Sequence, residues 1–370
     1  MFATNAQHWF YSSVLKPVFF RMDPERVHDR VVWLGKMMSN TPLTKYITRT
    51  IFDYKHPALV QEILGIRFSN PVGLTAGFDK NAELTSIIPS VGFGFEEVGS
   101  ITGEPCEGNP KPRLWRLPKS RGLVVWYGLK NDGCEVVAER LKNRTFEVPI
   151  GTSVARTNST ATISTEAGIA DYAKAFRAFA DIGDYTAVNI SCPNTCGGEP
   201  FTDPKRLDDL LVALDEIPTK KLVFLKLSVD TTTRELDAMI KVCGKHRIHG
   251  FIISNLTKHY DRPTINEEER RGITKGGISG HPVFNPSNEL ISYIYQTVGS
   301  RYVIVGSGGI FSAEDAYEKI RLGASLVQLA TGMIFEGPQL IGEINRGLVQ
   351  LMEHDGFANV REAVGTAHRK

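Results

Sequence analysis

The chain has no run of the roughly 18 apolar residues that a membrane-crossing helix requires. It has little net charge, 43 Lys and Arg standing against 41 Asp and Glu, and so lacks the concentrated basic face of a nucleic-acid binder. Cysteine is scarce and odd in number. Cys106, Cys134, Cys192, Cys196 and Cys243 form no CxxC pair, which argues against a disulfide framework and makes a reducing compartment the simpler inference. The histidines make no HExxH pattern, and His246 and His249 lack partners that would complete a zinc site, so no metal is expected. The N-terminus lacks the basic start, apolar middle and small-residue cleavage site of a secretory signal. What is present is 370 residues, enough for one large domain or one domain with a small appendage.

The first fifty or so residues differ from the rest. Trp9, Phe10, Val14, Leu15, Val18 and Phe19 recur at helical spacing, with Pro17 as an interruption or kink, and Asp23-Pro24-Glu25 opens a second helix carrying Val27, Val31, Leu34 and Met38. Lys16, Arg21, Arg26, Arg30, Lys36 and Lys45 flank these stripes. Two short amphipathic helices, aromatic on one side and basic on the flank, suit a membrane interface; an ordinary helical hairpin packed on its own domain suits the pattern equally well.

From Pro71 onward short apolar runs recur at 72–76, 93–98, 148–154, 185–190, 222–227, 250–253, 302–305 and 326–330. Helix-length stretches separate most of them, at 167–180, 204–216, 233–245, 286–298 and 313–322. Alternating strands and helices imply parallel strands, and eight of them close most simply into a (β/α)8 TIM barrel; a doubly wound open sheet is the rival. The barrel is favoured because polar or glycine residues follow nearly every strand, as a ring of ligand-binding groups at one mouth requires. Lys80 lies after the first run, Gly99 and Ser100 after the second, and Asn189 to Thr195 (NISCPNT) after the fourth. Lys226 sits on the fifth run, and Ser254-Asn255 follows the sixth. Glycine loops follow the last two, Gly306-Ser307-Gly308-Gly309 and Ala330-Thr331-Gly332, where barrels of this kind commonly hold a phosphate on backbone N–H groups.

NISCPNT is the densest of these stretches. Amides and hydroxyls are stable at a buried strand end only when hydrogen-bonded, so they suit the wall of a polar planar ligand. Pro193 lacks an N–H and forces a turn that can present the Cys192 thiol, and this makes Cys192 the first candidate for chemistry.

NPVGLTAGFDKN, GFGFEEVGSIT, EGNPKPRLWRLP, VNISCPNT, FLKLS, GGISG and VGSGGIFSAEDAYEKIRLGASLVQLATGMIFEGP resemble, in order and spacing, the dihydroorotate dehydrogenases, from about residue 10 to the C-terminus. The N-terminal helix pair with DPERVHD is similar to that of the membrane-associated, quinone-using class 2 enzymes. The resemblance implies bound FMN, oxidation of dihydroorotate to orotate in pyrimidine synthesis, and a quinone that enters between the N-terminal helices. It divides the chain into helices for membrane and quinone access at 1–48 and an FMN-binding catalytic barrel at 49–370. It also implies a peripheral protein on the cytoplasmic face of a bacterial cell membrane. An FMN oxidoreductase of the same barrel with another cyclic or unsaturated substrate, and a catalytically silent FMN- or membrane-binding paralogue, are the alternatives.

Residue by residue, the resemblance implies that Ala76, Gly77, Gly99, Ser100 and Ser153 line FMN, together with Lys80, Asn189 and Ser254. Lys226 lies near the flavin pyrimidine ring, Ser279, Gly280, Gly308, Gly309 and Thr331 hold the ribityl phosphate end, and Leu329 and Ala330 also contact the cofactor. Lys80, Tyr127, Gly128, Asn189, Asn194, Thr195 and Asn255 bind the substrate, and Cys192 is the base. Class 2 enzymes carry Ser at that position, whereas class 1 enzymes carry Cys; a thiol with a free pKa of about 8.5 is the more easily deprotonated of the two. The chain departs from the family pattern elsewhere. Val125 stands where an Asn is usual, Leu129 replaces the Phe of a YGF stretch, Ser153 replaces an Asn, and Leu256 replaces the Thr of an Asn-Thr pair. Each unreplaced hydrogen bond costs about 1–3 kcal/mol, so compensation by Thr152, Ser153 or Trp126 is one expectation and a different substrate the other.

Overall fold

The computed structural model describes residues 2–369. At the N-terminus, α1 (Phe2–Phe10) runs through one π-helical turn, Tyr11–Leu15, into α2 (Lys16–Arg21). The wide turn lies just ahead of Pro17, which has no N–H to offer the preceding turn and whose ring crowds the carbonyl four residues back. α3 (Pro24–Ser39) starts where Asp23 Oδ1 accepts the Arg26 N–H at 2.9 Å. A third element, α4 (Pro42–Phe52), is capped by Thr41 on the Thr44 N–H at 3.2 Å. The expected division between the N-terminal helices and the barrel, at residue 48, lies within α4.

The eight apolar runs form eight parallel strands: β1 (Val72–Leu74), β2 (Phe95–Ile101), β3 (Ile150–Val154), β4 (Tyr185–Asn189), β5 (Leu222–Leu227), β6 (Gly250–Ile253), β7 (Val303–Ser307) and β8 (Leu326–Leu329). Each pairs with the next, and β8 pairs with β1 through Val327 and Val72, so the sheet closes and the open-sheet alternative is excluded. The helices Thr165–Ala178, Pro204–Asp215, Thr233–Cys243, Phe284–Val298 and Ala313–Arg321 fill the expected stretches and bury their apolar faces on the outside of the barrel.

Two further pieces decide which end is open. An antiparallel hairpin, Gln61–Ile63 with Ile66–Phe68, lies across the N-terminal end, where Phe68 meets Phe95 edge-on at 5.4 Å and joins Tyr185, Phe224 and Leu326 in a closed apolar plug. Over the other mouth lies a three-stranded antiparallel sheet, Leu114–Leu117, Gly122–Val125 and Gly277–Gly280. The GGISG stretch, read from sequence as a glycine-rich segment, therefore supplies an edge strand. Its backbone pairs with Gly122–Val125, a partner too distant in sequence for local pattern to reveal.

Candidate active site

At the C-terminal mouth of the barrel lies a cavity of about 210 Å³, roofed by the small sheet. The turn after β1 supplies its first cation. Gly77, at φ +106°, donates to the Gly99 carbonyl at 2.7 Å, and the Asp79 carboxylate accepts the Glu83 and Leu84 N–H groups at 2.9 and 2.7 Å. This pinned turn holds Lys80, whose ammonium sits 4.1 Å from the Tyr127 ring centroid and 3.3 Å from His28 Nε2, with no carboxylate in salt-bridge contact among the described residues. Desolvation pushes its pKa down to about 7.

β5 supplies the second cation from inside the barrel. Lys226 Nζ lies 3.1 Å from Glu97 Oε1 and 3.2 Å from Thr75 Oγ1, both side chains of the ion pair being fully enclosed. Gln328 Nε2 donates to the other Glu97 oxygen at 3.0 Å. Apolar plug below and polar layer above make this the floor of the cavity.

The end of β4 brings the amides together. Asn189 Nδ2 donates to Ser100 Oγ at 2.8 Å, while its Oδ1 accepts from Asn255 Nδ2 at 3.2 Å. Ser191 Oγ donates to the Lys226 carbonyl at 2.8 Å, tying the NISCPNT turn to β5. Asn194 Nδ2 donates to the Val125 carbonyl of the roof at 2.9 Å. Cys192, between these anchors, lines the cavity. Burial pushes its thiol up to about 11; the Asn194 N–H and the Lys258 charge act the other way, and Glu199 adds to the rise.

The far wall is a glycine cradle. Gly308 and Gly309, at φ +100° and +75°, follow β7 in a conformation that side chains disfavour, and Gly280 reaches the same place at φ +91°. Ser279 and Thr331 hydroxyls meet at 2.9 Å between them. Beyond the cradle the lining turns apolar with Leu114, Leu123, Ile310 and Ile334. This end abuts the N-terminal helices: Phe20 packs with Leu114, Leu123 and Ile334, and Tyr11 OH donates to the Ile334 carbonyl at 2.7 Å. α3 is anchored by Glu25, whose carboxylate receives Arg113 at 2.8 Å and Lys111 at 3.2 Å. Burial alone would raise that carboxyl, but the two cations hold it below its ordinary range.

Of the residues singled out in the sequence, Ala76, Gly77, Lys80, Gly99, Ser100, Tyr127, Gly128, Asn189, Cys192, Asn194, Lys226, Ser254, Asn255, Ser279, Gly280, Gly308, Gly309, Leu329, Ala330 and Thr331 line this one cavity. Two do not. Ser153 is wholly buried beneath the cavity, its hydroxyl 2.7 Å from Ser100 Oγ, which covers it. Thr195 lines a smaller adjoining cavity with Arg156 and Phe201, its hydroxyl turned onto the Gly198 carbonyl at 2.9 Å. The compensation expected from Thr152, Ser153 or Trp126 does not reach the cavity: Thr152 bonds Lys221 at 3.1 Å on the far side, and Trp126 stacks under Lys275 at 3.7 Å. Val125, Leu129 and Leu256 do line it, so the apolar replacements face the same space as the amides. Sequence reasoning missed His28, which α3 delivers to the Phe78 carbonyl at 2.8 Å; a lone histidine on an amphipathic helix carries no signal of its own, although it stands within DPERVHD.

The dihydroorotate dehydrogenase family model matches residues 58–352 of the chain. A dihydroorotate dehydrogenase (quinone) of Natronomonas pharaonis is 40% identical over 354 residues, covering 95% of this chain and 98% of that protein. One from Roseiflexus sp. is 36% identical over 358 residues, covering 95% and 97%. Among solved structures, a crystal structure of Eimeria tenella DHODH in complex with ferulenol superposes with a TM-score of 0.83 at 30% identity, covering 94% of this chain and 96% of that one.

Proposed function

Because the chain belongs to the dihydroorotate dehydrogenase family, we propose that it is the quinone-dependent enzyme, an FMN-dependent oxidoreductase that converts (S)-dihydroorotate to orotate in pyrimidine biosynthesis. The observation that carries the reading is the convergence of a thiol, three amides and three lysines, Lys80, Lys130 and Lys226, in one cavity whose apolar end abuts the N-terminal helices.

The residues present fit FMN. The cradle of Gly280, Gly308 and Gly309 offers backbone where a Cβ would collide: one on Gly308 would stand 2.9 Å from Val283 Cγ2, and one on Gly309 2.5 Å from Phe284 Cβ. Ser254 Oγ is buried at the same cavity without a hydrogen-bond partner among the described residues. In this reading Ala76, Gly77, Gly99, Ser100 and Lys226 hold the ring system, and Ser279, Gly280, Gly308, Gly309 and Thr331 hold the phosphate. The chemistry such a flavin supplies when bound is hydride acceptance from the substrate and electron delivery to the quinone. A fixed cation at Lys226 favours negative charge beside it, and Glu97 keeps that cation in place.

Lys80, which has no carboxylate in salt-bridge contact among the described residues, meets the substrate carboxylate, whose charge favours the protonated amine. Asn189, Asn194 and Asn255 orient the ring amides, and Cys192 accepts the proton from the ring carbon next to the one that loses hydride. Only the thiolate is a base, so the chemistry rises with pH toward the thiol pKa. Ser153 acts at one remove, by holding Ser100.

The helical layer supports quinone access and membrane contact in this reading. The large apolar side chains left exposed concentrate there: Trp9, Phe10, Val14, Val18, Val31, Trp33, Leu34, Met37, Leu43, Tyr46, Ile47 and Ile51. Among the described residues no helix is long and apolar enough to cross a membrane. Such a layer suits lying on the cytoplasmic face of a cell membrane, with the quinone passing between the helices to the apolar end of the cavity.

Val125, Leu129 and Leu256 favour a second reading, a flavin oxidoreductase whose cyclic substrate carries an apolar group where orotate is polar. Anaerobic addition of dihydroorotate to the purified protein separates the two. Bleaching of a yellow protein supports the first, and unchanged colour supports the second.

A further inference from the structure

Lys319 is fully buried and belongs to no part of the mechanism above. It projects from the helix Ala313–Arg321 toward the helix Phe284–Val298, behind the loop that follows β7. Its ammonium donates to Asn288 Oδ1 at 2.7 Å and to Ser287 Oγ at 3.1 Å, and lies 5.0 Å from the Phe284 ring centroid. All three partners are neutral. The charged groups that act on it are Asp315 and Glu318, both on its own helix, and Glu318 spends one oxygen on Asn288 Nδ2 at 2.8 Å.

The hydrogen-bond chain does not stop at Ser287. The Ser287 hydroxyl donates onward to the Ser307 carbonyl at 2.6 Å. The Ser307–Gly308 peptide is not among the cis bonds, so its N–H points opposite to that carbonyl. The carbonyl is held by Ser287 Oγ and the Ser254 N–H, which leaves the Gly308 N–H opposite it and free of both. Gly308 and Gly309 both line the cavity, and their N–H groups have no acceptor among the described residues. A cation placed behind a peptide, linked to its carbonyl through a hydroxyl, polarises the N–H in front and adds its own charge at short range in a low-dielectric wall.

We propose that Lys319 makes this loop selective for a phosphorylated flavin, acting from behind the Gly308–Gly309 turn on the phosphate that the turn's N–H groups receive. The proposal rests on the FMN reading above and extends it to a residue that touches no ligand. Burial holds the free amine down, to a pKa of about 7. A dianionic phosphate nearby favours its charged form, so binding at pH 8 draws a proton onto Lys319.

The test uses the full-length chain freed of flavin, titrated with FMN and with riboflavin, which lacks the phosphate, in the unaltered protein and in Lys319→Gln. Lys319→Gln is expected to weaken FMN by about tenfold or more while leaving riboflavin within about threefold. Calorimetry at pH 8 in two buffers of different ionisation enthalpy is expected to show proton uptake when the unaltered protein binds FMN, and none with riboflavin. Equal weakening of both ligands, or FMN binding without proton uptake, overturns the proposal. Should Lys319→Gln not fold, the calorimetry on the unaltered protein decides alone. An unaltered protein that binds neither ligand refutes the FMN reading itself and is thereby told apart from a failure of Lys319.

Discussion

Replacing or titrating Cys192 probes the proposed proton abstraction most sharply. The wall that encloses this thiol pushes its pKa up to about 11. The thiolate fraction falls tenfold for each pH unit below the pKa, so at pH 7 about one molecule in ten thousand is poised as a base. Flavin bleaching by dihydroorotate, followed anaerobically by stopped flow in single turnover, is therefore expected to rise about tenfold per pH unit between pH 7 and pH 10. Cys192→Ala loses the base and slows the bleaching by about a hundredfold or more. Glu199 raises the thiol pKa and is itself pushed up to about 7 by burial, so it carries its charge over most of this range. Glu199→Gln accordingly shifts the whole profile to lower pH and speeds the reaction at pH 8. A profile flat from pH 7 to 10, or an unchanged rate in Cys192→Ala, refutes the assignment.

Four other outcomes follow from named residues. Glu25→Ala strands the buried Arg113 guanidinium, and urea unfolding is expected to show a loss of about 3 kcal/mol. Because the folded Glu25 carboxyl is held below its ordinary range, the stability it contributes is present above the unfolded Glu pKa and lost as pH falls through the lower folded value; the stability gap between unaltered and Glu25→Gln protein should be full above that window and close across it. Replacing Trp9, Trp33, Leu34 and Tyr46 together by Ser should abolish vesicle sedimentation while leaving dihydroorotate-driven bleaching unchanged, since these side chains face outward from the helical layer. Lys80→Met should raise the dihydroorotate concentration needed for half-maximal bleaching by about tenfold or more, with flavin content retained; an unchanged requirement removes Lys80 from the substrate carboxylate.

The barrel was legible because parallel strands covered on both faces read as short apolar runs, and the turns that follow them carry the site. Strand ends such as NISCPNT and AGFDKN announced their residues for the same reason: polar groups that close an apolar run have few other uses. The roof was not legible. Gly277–Gly280 pairs with Gly122–Val125 across a long stretch of chain, and a glycine-rich segment signals a turn more strongly than an edge strand. α4 carries its own start signal, Thr41-Pro42, although the apolar pattern of the two preceding helices drew attention away from it. Tertiary docking decided the rest. Ser153 and Thr195 stand one residue layer away from the cavity they were expected to line, since spacing along a chain does not fix which way a side chain turns at a strand end. Lys319 looks like a surface charge in AEDAYEKIR until the facing helix covers it.

The most direct test of the central claim is one anaerobic spectrum series on the purified full-length chain. The account predicts a yellow protein whose flavin absorbance is bleached by dihydroorotate and restored by a soluble quinone. A colourless protein without flavin, or a yellow one that dihydroorotate leaves unchanged, contradicts it.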